Sequence, residues 1–316
     1  MSKIYDCFTF FNELDLLEIR LSLLSPVVDF FVIVECAKTQ QGNNKPYYFE
    51  KNQDRYSKWK NKIIHIKVED VEEISHEVIE DWSIENHQRN CIFRGLVNAR
   101  PDDIIIISDL DEIPNPYLLT HLNDYMVQEY PKQLKTKLKN FVKKSIKFIL
   151  GKYKKTEPLT LETAIEKEPI ALNQRFFYYF MNCQNISNDW QGSIILRFKA
   201  FRLPQVIRDT RRKIPFVSFD KKNEQPSGWH FSYLGGKDSI VKKLNSIIEG
   251  HRINDDIKLP EHMTTEEYIS YCIENGLDLY QKDTYKFVSL VEIGIPNADF
   301  YVNKYPNYFK LKEKND

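Results

Sequence analysis

Two short runs constrain this chain more than anything else in it. "FFVIV" (30–34) and "IIII" (104–107) are unbroken apolar stretches rich in β-branched and aromatic side chains. A strand reads this way when both of its faces are covered, as in a parallel sheet flanked by helices. The chain supplies the helices. Residues 13–25 place Leu16, Leu17, Ile19, Leu23 and Leu24 broadly on one helical face, with Pro26 as a stop. Residues 83–99 place Ile92, Phe93, Leu96 and Val97 at helical spacing. The apolar runs 4–10 and 62–68 complete an alternation of strand and helix through the first third. That alternation predicts an α/β fold with a mostly parallel central sheet.

In such sheets ligands bind at the carboxyl ends of the strands. Here those ends are acidic. The first strand runs into Asn12 and Glu13, the second into Glu35, the fourth into Asp109, Leu110, Asp111 and Glu112. The start of the 83–99 helix faces the same edge and carries Asn86, Gln88, Arg89 and Asn90. Three acids within four residues repel one another, and a divalent cation is the simplest offset. Carboxylate oxygens are hard ligands, suited to Mg²⁺ or Mn²⁺ rather than zinc or copper.

A strand ending in D-x-D serves more than one chemistry. In sugar transfer from a nucleotide-sugar, a metal clamps the diphosphate, an acid touches the ribose and a general base deprotonates the acceptor. In an Asp-nucleophile phosphatase the first Asp attacks phosphorus. That pattern wants Thr or Val where Ile113 stands, and a position near the N-terminus. A protein that binds nucleotide-sugar or glycan without turnover is the third reading.

The second half is less regular. Residues 175–182 and 193–203 read as strands, with 188–192 as a loop between them. "PSGWHFSYLGG" (226–236) holds Gly228, Gly235 and Gly236, three of only ten glycines, and a helix is expected over 237–250. With 42% hydrophobic residues the 316-residue chain can form one large domain. Lys+Arg and Asp+Glu balance at 45 each, which gives no footprint for nucleic acid. Five cysteines without CxxC spacing fit buried thiols in a reducing compartment. No leader pattern and no run of about eighteen apolar residues is seen, so the expected location is cytoplasmic. Residues 131–155 stand apart: ten lysines, no acid, and Leu134, Leu138, Phe141, Val142, Ile146, Ile149 and Leu150 at helical spacing. Such a basic amphipathic segment either packs its stripe on the core or lies peripherally on the inner membrane surface.

Several motifs in one order resemble glycosyltransferase family 17, the family of the bisecting β-1,4-N-acetylglucosaminyltransferase and its bacterial relatives. They are "IYDCFTFFNELDLLEIRL", "FVIVECAKTQQGNNKPYYF", "ENHQRNCIFRGL", "DDIIIISDLDEIP", and "GWHFSYLGG" with the following "KKLNSIIEGH". They cover most of 3–118 and 172–255. The resemblance implies a single GT-A catalytic domain over 1–316, with a basic insertion at 131–170 and a C-terminal helical or irregular extension at 256–316. It implies Mn²⁺ or Mg²⁺, a UDP-sugar donor (UDP-GlcNAc) and inverting transfer to a glycan hydroxyl, and a membrane-docked 131–155 would place the enzyme near a lipid-linked glycan acceptor. Carried over by position, Asp109 faces the ribose and the metal, Asp111 is a metal ligand, and His230 completes the metal site. Glu112 belongs to the same motif. Asn12 and Glu35 are nucleotide contacts, and Arg89 suits the diphosphate. Lys243 and His251 match the pattern without an assigned role. The catalytic base is expected between the D-x-D and His230. Asp189 is the first choice, because Trp190 beside it can stack on a sugar face; Asp209 and Glu224 are the alternatives.

Overall fold

The structure is a computed structural model that describes residues 2–71, 81–129, 159–220, 222–255, 257 and 259–311. The lysine-rich stretch 131–155 lies outside the described residues.

The first half follows the alternation read from the sequence: β1 (Ile4–Phe10), α1 (Leu14–Leu24), β2 (Phe30–Cys36), β3 (Ile63–Val68), α2 (Ser83–Asn90) and β4 (Ile104–Asp109). β1 pairs in parallel with β2 and with β4, and β2 with β3. The isoleucine run divides its side chains between the two faces. Ile104 and Ile106 join a core with Phe8, Leu17 and Phe31, while Ile105 and Ile107 join another with Cys7, Val32 and Ile92. Full burial of such a side chain is worth roughly 1.5–3 kcal/mol, so one four-residue run anchors both layers.

Beyond β4 the sheet becomes mixed. After β5 (Glu112–Pro114) come β6 (Ile170–Tyr178), β7 (Cys183–Asn185), β8 (Trp190–Arg197), α3 (Pro204–Asp209), β9 (Phe216–Val217) and β10 (Gly228–Ser232). β8 pairs antiparallel with both β4 and β6. β10 pairs parallel with β6 and antiparallel with β5, setting His230 opposite Glu112. That pairing needs Gly228, where a Cβ would stand 2.4 Å from the Ile113 carbonyl oxygen. α4 (Gly236–Leu244) and α5 (Thr265–Asn275) follow, and β11 (Tyr285–Phe287) closes the edge on β7. The described residues after 259 thus hold helices, irregular stretches and one strand.

Three expected elements are shorter than the sequence suggests. The 83–99 helix ends at Asn90 and tightens into a 3₁₀ turn, Cys91–Gly95. Gly95 lies so close to β2 that a Cβ would be 2.4 Å from Val32 Cγ1. The 193–203 strand stops at Arg197, opposite Ile104, where its partner β4 begins. The 237–250 helix breaks after Leu244 and resumes as a 3₁₀ turn, Ile248–His251. All five cysteines are buried and unbridged. Among the described residues no helix is long and apolar enough to cross a membrane.

Candidate active site

The acids leave β4 in a tight turn that returns as β5, and one buried arginine holds that turn. Arg20 comes from α1. Its Nη1 donates to the carbonyls of Asp109, Leu110 and Glu112, each at 2.9 Å. Its Nε and Nη2 bind Asp6 at 2.9 and 2.6 Å, and Nη2 also donates to Ser108 Oγ. Arg20 and Asp6 are fully buried. A buried ion pair is a poor stabiliser against an apolar pair, but losing one partner strands a charge. This network therefore specifies one conformation of the turn.

Two more arginines fix the first acid. Arg89 Nη2 donates to Asp109 Oδ1 at 2.9 Å and Arg208 Nη2 to Oδ2 at 2.7 Å. Arg208 also binds Glu112 Oε1 at 2.5 Å, and Trp190 Nε1 donates to that oxygen at 2.7 Å. Glu112 Oε2 accepts the Asp109 amide at 3.0 Å. Burial opposes charge on Asp109, but Arg208 and Arg89 outweigh it and hold the carboxyl well below the usual range.

Asp111 is held differently. Its Oδ2 lies 3.2 Å from Lys243 Nζ and 3.5 Å from His230 Nε2. Burial again opposes the charge, and Lys243 and His230 again bring the carboxyl below its ordinary value. Burial works against the ammonium of Lys243, yet Asp111 and Glu13 raise it. His230 stacks on Phe176 at 4.7 Å and packs against Trp190. Its Nδ1 is buried without a hydrogen-bond partner.

Two cavities meet at Asp111 and Lys243. One, of about 170 Å³, runs along the ends of β1 and β4 past Lys45, Arg89 and Asp109. The other, of about 270 Å³, is bounded by Asn12, Arg55, Tyr233 and Tyr308. Glu13, Asp111 and Lys243 border both. Ligand pockets usually span about 300–1,000 Å³, so an extended ligand would draw on the pair.

Residues 1–156 match glycosyltransferase family 17. The resemblance carried by the motifs is borne out over that half, and the match ends ahead of "GWHFSYLGG". Similar curated proteins are β-1,4-mannosyl-glycoprotein 4-β-N-acetylglucosaminyltransferases. Those of Homo sapiens and Rattus norvegicus are each 29% identical over 109 residues, and that of Mus musculus is 28% identical. Each alignment covers 33% of this chain and 20% of the relative. The chain thus spans about a fifth of the length of the curated relatives it matches.

Within this family-17 half the structure gathers most of the expected site residues. Arg89, Asp109 and Asp111 border the first cavity and Asn12 the second. His230, from the other half, stands against Asp111. Glu35 is not brought to either wall. It is fully buried, accepts the Phe49 amide at 3.2 Å, and lies 3.1 Å from His65 and 3.7 Å from Lys45. Its charge reaches the cavity only through Lys45. None of the three expected bases borders either cavity. Asp189 is exposed at the start of β8 and accepts from Asn173 at 3.1 Å. Asp209 accepts from Gln205, and Glu224 sits in a turn with φ 54°.

The donor set around Asp111 suits a hard divalent ion: one carboxylate oxygen and one imidazole nitrogen, 3.5 Å apart. Asp109 fits a ligand role less well, because each of its oxygens already accepts from an arginine. A second group, Asp70, His87 and Cys91, brings its ligand atoms within 4.8 Å of one another. In the sequence the only signal for it is the four-residue spacing of His87 and Cys91, which puts both on one side of a helical turn. The thiol and imidazole would favour zinc, but Arg94 already holds both oxygens of Asp70, at 2.9 and 2.6 Å.

Arg20, Arg208 and the pairing of Lys243 with Asp111 were not anticipated. Their one advance signal was arginine on an apolar helix face, in the case of Arg20.

Proposed function

We propose that this chain is an inverting glycosyltransferase of the GT-A type. It moves N-acetylglucosamine from UDP-GlcNAc to a hydroxyl of a glycan acceptor, using Mn²⁺ or Mg²⁺. The observation that carries this reading is the end of β4. Three arginines fix the D-x-D-E turn there, so that Asp109 and Asp111 edge one cavity with His230 and Lys243 against Asp111.

In the reaction the acceptor oxygen bonds to the anomeric carbon as that carbon's bond to the diphosphate breaks. The acceptor's proton leaves to a carboxylate, and negative charge grows on the departing diphosphate. Preorganised positive groups lower the barrier to such a step. A divalent ion held by Asp111 and His230 would supply part of that charge. Arg89 and Lys45 on the first cavity's wall, and Lys243 between the cavities, supply more. Asp109, kept ionised by its arginines, is an acceptor for ribose hydroxyls. Asp189 is the base in this reading. Its neighbour Trp190 reaches both Glu112 and His230. Asp189→Asn should lower kcat about 100-fold or more while UDP binding holds; unchanged kcat would discard Asp189.

Calorimetry with UDP and UDP-GlcNAc, in Mn²⁺ and in EDTA, tests the core of the proposal. Binding should require the metal and disappear in Asp111→Ala. A folded protein that binds neither nucleotide would overturn it. We further propose a cytoplasmic enzyme that reaches a lipid-linked acceptor, with the ten lysines of 131–155 contacting the inner membrane surface. Flotation with anionic liposomes should lift the protein, and changing these lysines to glutamine should abolish it; equal flotation of both would remove the idea.

A further inference from the structure

We propose that Lys243 is a resident counter-ion, which neutralises Asp111 in the empty site and transfers to the donor's diphosphate when nucleotide and metal bind together. The inference rests on the proposed function above and assigns a role to a residue that had none.

The first observation is that one oxygen is claimed twice. Asp111 Oδ2 faces both Lys243 Nζ at 3.2 Å and His230 Nε2 at 3.5 Å. This is the oxygen that would join His230 in holding a divalent ion. An ammonium at that distance repels such an ion, so Lys243 must leave Asp111 for the two ligands to act together. The second observation is that Lys243 has somewhere to go. It borders both cavities, and its side chain is 26% exposed. The four-carbon stem of lysine lets the charge swing without moving the backbone. The third is that the backbone beneath it is fixed. Gly235 and Gly236, with φ of 97° and 78°, lead from β10 into α4, and the buried Ile240 and Leu244 anchor that helix. Lys243 and His230 therefore sit on consecutive elements at fixed spacing. The Tyr233 ring, 5.3 Å from Nζ, borders the second cavity and gives the ammonium a surface to turn on.

Charge balances in both states. Without ligand, Lys243 cancels Asp111. With a nucleotide-sugar and a divalent ion bound, the ion offsets the two negative charges of the diphosphate diester, while Lys243 and Asp111 still cancel overall. A divalent ion alone would leave the site with excess positive charge. Metal and nucleotide should therefore bind with positive coupling, and Lys243 should be its source.

Mn²⁺ titration followed by electron paramagnetic resonance, with and without UDP, on wild type, Lys243→Gln and Lys243→Arg, tests this. Without UDP, Lys243→Gln should bind Mn²⁺ about tenfold tighter than wild type. In saturating Mn²⁺ it should bind UDP about tenfold weaker, so the coupling between the two ligands shrinks. Lys243→Arg, which keeps the charge, should bind free Mn²⁺ as weakly as wild type. Thermal melts report whether each variant is folded. If wild type binds UDP with Mn²⁺ but Lys243→Gln binds free Mn²⁺ no tighter, the counter-ion role is wrong and the proposed function stands. If wild type binds neither Mn²⁺ nor UDP, both fail.

Discussion

Asp109 and Asp111 are two residues apart on one turn, and their surroundings could hardly differ more. Around Asp109 the charged partners are buried guanidiniums on regular elements, Arg89 from α2 and Arg208 from α3. Each is in turn tied down, Arg89 by Glu85 and Arg208 by Glu112. Around Asp111 the partners are a lysine on a flexible stem and a histidine with a free ring nitrogen. Arginine's planar fork suits fixed bidentate geometry, whereas lysine is a movable point charge. The pair teaches a division of labour: one acid belongs to the frame, and the other is left free to change partner.

The largest effect should come from removing what both acids share. Arg20→Met strands the buried Asp6 and frees three carbonyls, and should cost about 3–5 kcal/mol of stability. Thermal or urea unfolding measures it; a loss under about 1 kcal/mol would mean that the turn holds itself. On the Asp109 side, Arg208→Gln should lower kcat/KM about 100-fold in the protein that remains folded, because Asp109 and Glu112 lose their common clamp. Metal-dependent UDP binding in that variant should weaken far less than in Asp111→Ala. Equal losses would erase the distinction between the two acids.

Acid titration gives the smallest signal. Both carboxyls are depressed in the folded protein. The stability they contribute is therefore fully present above the ordinary carboxylate value, about pH 4. It is lost as pH falls below that value toward the folded ones. Between pH 5 and 8, Asp109→Asn should shift the melting temperature by a constant amount; a shift that varies across that range would place the folded carboxyl higher than this.

The parallel half of the sheet was legible because its strands are buried on both faces and so read as continuous apolar runs. The acids were legible too, because a charge at the end of such a run has little structural reason to be there. The rule that found them gives the edge of a sheet, not the face, and Glu35 shows the cost. It stands at a strand end, but the chain folds back over it and Phe49 covers its carboxylate. Arg20 was hidden for the opposite reason. It lies on the apolar face of α1, three and four residues from Leu16, Leu17, Leu23 and Leu24, and nothing local shows that the carbonyls it holds lie some ninety residues away. The β5–β10 pairing that sets His230 beside the turn spans three residue pairs. No periodicity announces a ladder so short, and His230 was reached through family resemblance alone.

Within the turn itself, at residues 109, 110 and 112, Arg20 grips main-chain oxygens only. Every amino acid except in its side chain offers the same carbonyl, so the grip is indifferent to what residues 109, 110 and 112 carry. The side chain at position 111 can be exchanged without loosening that grip. A lineage could retune the chemistry at position 111 while the presentation stayed unchanged.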